Sequence, residues 1–147
     1  YKRFNMATKR ERILAAIKTN LANTTGVGTR IYRSRVEALT RSETPALIIE
    51  PISDTPEDTQ SFNNKVNWEF KIRISVVVRG TTPDQVADPT IESLHTKVLT
   101  DPSVGGLALD VRPSTTSFEI LEADQPAGVI SCEFDISYRT GYDSLTT

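Results

Sequence analysis

The alternation between Val66 and Arg79 constrains this chain more than any other stretch. Trp68, Phe70, Ile72, Ile74, Val76 and Val78 share one parity; Glu69, Lys71, Arg73, Ser75, Val77 and Arg79 share the other. A period of two belongs to a strand with one buried face. Slipping the register by one residue would turn six large apolar side chains to water, each worth about 1.5–3 kcal/mol when buried. At about 3.3 Å per residue the apolar run spans roughly 35–40 Å. A compact domain of 147 residues has a radius of gyration of about 15 Å. The strand therefore crosses the domain, and one end is free to project as an arm.

Such a strand needs partners and a cover. Pro45-Ala46-Leu47-Ile48-Ile49-Glu50-Pro51 reads as a short central strand bracketed by prolines. Val129 to Arg139 alternates Ile130, Cys132, Phe134, Ile136 and Tyr138 with Ser131, Glu133, Asp135, Ser137 and Arg139. If this strand lies antiparallel beside the long one, its Glu133/Asp135 row meets the Lys71/Arg73 row. Thr29 to Val36 is a further strand with Arg33 and Arg35 on a basic side open to solvent or to a subunit. Leu107–Val111 and Ser117–Glu122 are two more, the second opposing Phe118 and Ile120 to Glu119 and Leu121.

Two helices supply the cover. Thr8-Lys9-Arg10-Glu11 is a capping-box pattern, followed by Ile13, Leu14, Ile17 and Leu21 at helical spacing. This predicts a helix over 8–22. Asp88-Pro89 reads as N-cap and first helical residue, with Ile91, Leu94, His95 and Val98 on one face and an end before Asp101-Pro102. The expected fold is α+β: a mostly antiparallel sheet with two amphipathic helices packed on one face. The other face, rich in Arg, Lys, Glu and Ser, is left to solvent or to another subunit. Residues 1–7 read as an amino-terminal extension, because Met6-Ala7-Thr8 resembles a natural start; 8–140 form one domain, and 141–147 a tail.

Residues 53–65 are polar and join two strong strands, so they are expected to form a long projecting loop. The carboxylates Asp54, Glu57 and Asp58 match no calcium-loop spacing. With Phe62 they fit a contact loop better than a metal site. Together with Arg33, Arg35, Lys71 and Arg73 they form the candidate assembly interface.

Composition narrows the chemistry. Net charge is −2, which disfavours a general electrostatic grip on nucleic acid. One cysteine forbids an internal disulfide, and one histidine limits His-based catalysis or metal binding to His95. His95 is expected at or beside the core, and Cys132 as an inert buried thiol. Gly26 and Gly28 form no dinucleotide fingerprint, since Ile31 occupies the third glycine position. No run approaches the roughly 18 apolar residues of a membrane helix, and no apolar segment follows the basic first residues as a signal peptide would require. The expectation is an intracellular, non-enzymatic chain without cofactor or metal.

Several segments together resemble a known family. They are Ile13-Leu14-Ala15-Ala16-Ile17, Gly26-Val27-Gly28-Thr29-Arg30-Ile31-Tyr32, Pro45–Pro51, Trp68–Arg79, Asp88-Pro89-Thr90-Ile91-Glu92-Ser93-Leu94-His95 and Ala123-Asp124-Gln125-Pro126-Ala127-Gly128. Over about 8–140 the chain resembles the small tail proteins of long-tailed bacteriophages, of the tail terminator or minor tail protein U type. The resemblance implies a structural virion protein: a hexameric ring on the last ring of the tail tube that stops tube growth and offers a face to head-completion or neck proteins. DNA would pass through its lumen without specific binding, and the protein would sit at the head-proximal end of the tail after assembly in the host cytoplasm. A head–tail connector or neck protein is the alternative within the same class. From other classes, a monomeric intracellular adaptor and a small hydrolase remain; the sequence carries no catalytic signature for the last.

Overall fold

The computed structural model describes residues 7–35, 37, 39–57, 64–121 and 126–147, with Arg41 described by its backbone alone. Helix α1 (Lys9–Asn20) leads to a short strand β1 (Ile31–Arg33), a single 3₁₀ turn (Arg41–Glu43) and strand β2 (Ala46–Pro56). Strand β3 (Lys65–Arg79), helix α2 (Pro83–Leu99), strand β4 (Asp110–Leu121) and strand β5 (Ala127–Gly141) follow. The five strands form one sheet in the order β1-β2-β3-β5-β4. Among the described residues β1 pairs parallel with β2, and the other three pairings are antiparallel. The fold is thus the α+β sheet with two helices that the sequence implies.

The long strand is the axis of the molecule. β3 pairs with β5 without interruption from Lys65↔Gly141 to Arg79↔Ala127. Phe70, Ile72, Ile74, Val76 and Val78 are fully buried, and they meet Ile130, Cys132, Phe134 and Ile136 of β5 in a core closed by Ile13, Leu14 and Ile17 of α1 and by Leu94 and Val98 of α2. Trp68 is only half-buried: it stacks on Tyr138, and its indole Nε1 donates to Thr140 Oγ1 at 2.9 Å. Fifteen residues of β3 extend about 50 Å. The 12 residues of α1 and 17 of α2 cover about 18 and 26 Å. The helices cannot cover the sheet from end to end.

Several boundaries differ from expectation, each for a local reason. β1 is limited to Ile31–Arg33, because Ser34 takes a left-handed φ of 50° that ends the extended backbone. β2 runs on to Pro56, so the expected 53–65 loop loses its first four residues to a hairpin stem. A bulge at Ile52, between Pro51 and Ser53, shifts the alternation by one residue. It carries Asp54 onto the helix-covered face.

Helix α2 begins at Pro83 rather than at Asp88-Pro89. Pro83 fills the first helical position behind Thr82, where a missing N–H costs nothing. Pro89 sits inside the helix with an exposed side chain. The start is fixed by packing: a Cβ on Gly128 would lie 2.4 Å from Pro83 Cβ, so β5 and α2 approach as closely as they do only because residue 128 is glycine. The buried stripe is Ala87, Thr90, Leu94 and Val98. His95 lies one step past Leu94 and is exposed, its ring 6.3 Å from that of Phe134, a place at the rim rather than within the core.

The two strands expected at 107–111 and 117–122 are one, β4, kinked by a register shift between Pro113 and Thr116. The 141–147 tail is tied back: Tyr142 N–H donates to Asn64 O at 2.6 Å, and Lys9 N–H donates to Leu145 O at 2.8 Å.

Candidate assembly surface

The outer face of the sheet carries a charge lattice set by strand register. Glu50, Arg73 and Glu133 lie side by side across β2, β3 and β5; Lys71, Asp135 and Arg112 lie side by side across β3, β5 and β4. Lys71 Nζ reaches Asp135 Oδ1 at 2.8 Å, and Arg73 reaches Glu133 Oε2 at 3.2 Å and Glu50 Oε1 at 3.5 Å. The expected pairing of the Lys71/Arg73 and Glu133/Asp135 rows is therefore present, residue by residue. Asp135 raises the Lys71 pKa through its hydrogen bond. One row onward, Ser75 faces Ser131, so the lattice fades into small polar and apolar positions.

The remaining candidates are distributed between the two faces. Arg33 lies on the helix side of β1 and donates two hydrogen bonds, of 3.0 and 2.9 Å, to Glu11 of α1. Arg35 stands over the Tyr32 ring at 4.6 Å and donates to both carboxylate oxygens of Glu43, at 2.8 and 3.1 Å. That fork holds Glu43 at a pKa of about 2, with help from the Thr40 backbone N–H. Asp54 is buried beneath α1, where Arg10 Nη1 reaches it at 3.1 Å and the Tyr138 hydroxyl donates to it. Burial raises the Asp54 pKa against the opposing pull of those two partners. Glu57 is exposed at the end of the hairpin stem, its backbone N–H donating to Asn67 O at 2.9 Å. Asp58 and Phe62 lie outside the described residues. The structure thus brings Lys71 and Arg73 onto one surface, separates Arg33 and Asp54 from it, and engages every described member of the set except Glu57 in side-chain pairs within the subunit.

The less obvious feature lies at the two edges of the sheet. Along β4 only Val111 is buried. Phe118 and Ile120 point to the helix side, opposite Ile130 and Gly128, yet they are 63% and 62% exposed. α2 does not reach over them. They line two shallow grooves of about 460 Å³ each against the start of that helix, beside Asp84, Asp88 and Ile91. The opposite edge offers a cleft of about 620 Å³ between α1 and β1, lined by Lys18, Ile31, Tyr32, Arg33, Ser34, Arg35 and Glu37. The alternation in 117–122 puts Phe118 and Ile120 on one face but does not tell whether that face is covered. The signal available in the sequence was charge: eight Lys and Arg against three Glu between 8 and 45, and two against six Asp and Glu between 80 and 121.

Among the described residues no group of three or more His, Cys, Asp and Glu could hold a metal ion, and no helix is long and apolar enough to cross a membrane. Cys132 is buried, and burial raises its thiol pKa. No protein-family model matches the chain, and neither does any curated protein. A solved structure, carrying no stated function, is 16% identical over 86% of this chain and 94% of its own, with a TM-score of 0.46. A likeness that distant carries no functional argument.

Proposed function

We propose that this chain is a structural subunit of a long-tailed bacteriophage, a tail terminator that closes into a hexameric ring on the last ring of the tail tube. The ring ends tube polymerisation and presents a face to head-completion or neck proteins, while DNA passes through the lumen. The reading rests on the family resemblance of the segments named above. The observation that supports it is the sheet with two open and unlike edges. Closed rings are built from heterologous contacts, in which one patch of a subunit meets a different patch of the next. A sheet whose ends differ in charge and in apolar exposure is suited to that geometry. The lattice of matched ion pairs on the outer face leaves little unsatisfied charge there to attract DNA passing close by.

The test is made on tubes. Purified subunit is added to polymerising tail-tube protein, and tube lengths and ends are examined by electron microscopy. Shortened, capped tubes with a ring at one end are expected. Tubes of unchanged length with bare ends would remove the terminator role. Binding instead to an isolated head–connector assembly, with none to tubes, would move the assignment to the neck.

A further inference from the structure

We propose that the exposed edge of β4, with the acidic groove between it and the start of α2, receives the basic α1/β1 edge of a second copy of this chain. The proposal rests on the ring reading and names the surfaces that would build the ring.

Three features of the β4 edge point to an occupant. First, from Thr116 to Leu121 the strand is regular and, among the described residues, paired on one side only, with β5. Its outward N–H and C=O groups form the open template that sheet edges are usually shaped to hide. Pro113 and the adjacent bulge protect one half of the strand; the half from 116 onward carries Phe118, Ile120 and Leu121. Second, Phe118 and Ile120 form an apolar strip on the helix-side face, 63% and 62% exposed, that lines the grooves against the start of α2. Apolar residues gathered on an open strand edge mark a contact rather than a solvated surface. Third, the rim of the strip is acidic, through Asp84 and Asp88.

The occupant follows from charge complementarity. The α1-to-β1 segment, 8–45, carries a net charge of +5, and the α2-to-β4 segment, 80–121, carries −4. The topology sets β1 and β4 at opposite ends of the sheet. A copy placed head-to-tail therefore brings opposite charges together, whereas two β4 edges meeting about a two-fold axis bring like charges together. On the basic side Arg33 and Arg35 already pair with Glu11 and Glu43. Lys18 is exposed in the cleft between them, and Ala15 beside it leaves room for an approaching strand.

The experiment uses two variants of the full chain, followed by light scattering on a sizing column and by sedimentation over a range of concentrations. One, Phe118→Ser/Asp88→Ala, spoils the β4 side; the other, Ala15→Glu/Lys18→Glu, spoils the α1 side. All four positions are exposed, and circular dichroism confirms that each variant folds. The wild type is expected to associate, each variant alone to associate at least tenfold more weakly, and an equal mixture of the two to form a one-to-one dimer that grows no further. Only a head-to-tail contact produces that dimer, because each variant retains one sound face. Wild-type association unaffected by either variant would overturn these surfaces while leaving the ring standing. Loss caused by the β4 variant alone, with no dimer in the mixture, would replace them by two-fold β4 pairing. A wild type that stays monomeric at every concentration would overturn the self-contact, and the tube-capping assay then judges the terminator role independently.

Discussion

The β3–β5 seam and the β4 edge are built from similar sequence and end in opposite environments. Both strands of the seam and β4 alternate apolar with polar residues. In the seam Phe70, Ile72, Ile74, Phe134 and Ile136 are almost completely buried, while Phe118 and Ile120, on the same face one strand farther out, are mostly exposed. The difference is coverage. α1 and α2 are shorter than the strands they cover, and their apolar stripes are spent on the middle of the sheet. An apolar alternation therefore records which face a residue joins, whereas its burial depends on how far the covering layer extends.

The largest effect that would test this contrast comes from truncation. Phe134→Ala removes a ring enclosed on all sides and should cost about 3–5 kcal/mol in denaturant unfolding. Phe118→Ala should fall within about 0.5 kcal/mol in the monomer, as surface changes do. A Phe118 truncation as costly as the Phe134 one would mean that the β4 edge is covered in solution. Next in size is Gly128→Ala, in which the new methyl group meets Pro83 where β5 passes the start of α2. Overpacking of this kind typically costs 1–3 kcal/mol, read as a lower midpoint with an unchanged slope. An unchanged midpoint would show that α2 moves aside freely.

The charge lattice is smaller in effect. Lys71 and Asp135 are each about 30% exposed, so solvent screens their attraction. A double-mutant cycle on Lys71→Ala and Asp135→Ala should give a coupling of about 0.2–1 kcal/mol that shrinks with added salt. Coupling that is larger and insensitive to salt would indicate that this face is dry, as it would be against another subunit.

Much of the frame was legible from side-chain periodicity. The alternation of 66–79 and of 129–139 located both central strands and the ion-pair rows between them, because strand parity maps directly onto a face. Thr8 and Glu11 located the start of α1: Thr8 Oγ1 accepts the Glu11 N–H at 3.2 Å. What escaped was set by contacts distant in sequence. The start of α2 depends on Gly128, 45 residues beyond Pro83. The burial of Asp54 depends on a bulge at Ile52 and on Arg10 and Tyr138. The exposure of Phe118 depends on where a helix ends. Of the candidate interface, Lys71 and Arg73 were placed correctly on the outer face, while Asp54 was taken for a loop residue because polar sequence between two strands looks alike whether it forms a stem or a tip.

The contrast between buried and open positions extends to charge, and pH reads it with opposite signs. Burial raises the pKa of Asp54 in the folded chain, so the folded state holds its proton more tightly than the unfolded state does. The associated stability is fully present below the ordinary aspartate pKa of about 3.9 and is lost as pH rises through the raised folded value. Glu43, at the edge, behaves in the reverse sense. Arg35 and the Thr40 N–H hold it at about 2, so its contribution is present above the ordinary glutamate range and is lost as pH falls toward 2. Asp54→Asn should therefore flatten a decline in stability on the rising side of pH 4, and Glu43→Gln a decline on the falling side. Both changes should be small beside the truncations. The measurement is unfolding at a series of pH values for the wild type and the two variants, with differences taken at each pH. Should both variants alter the profile in the same sense, Asp54 would have to be as well solvated or as strongly paired as Glu43, and its place beneath α1 would be wrong.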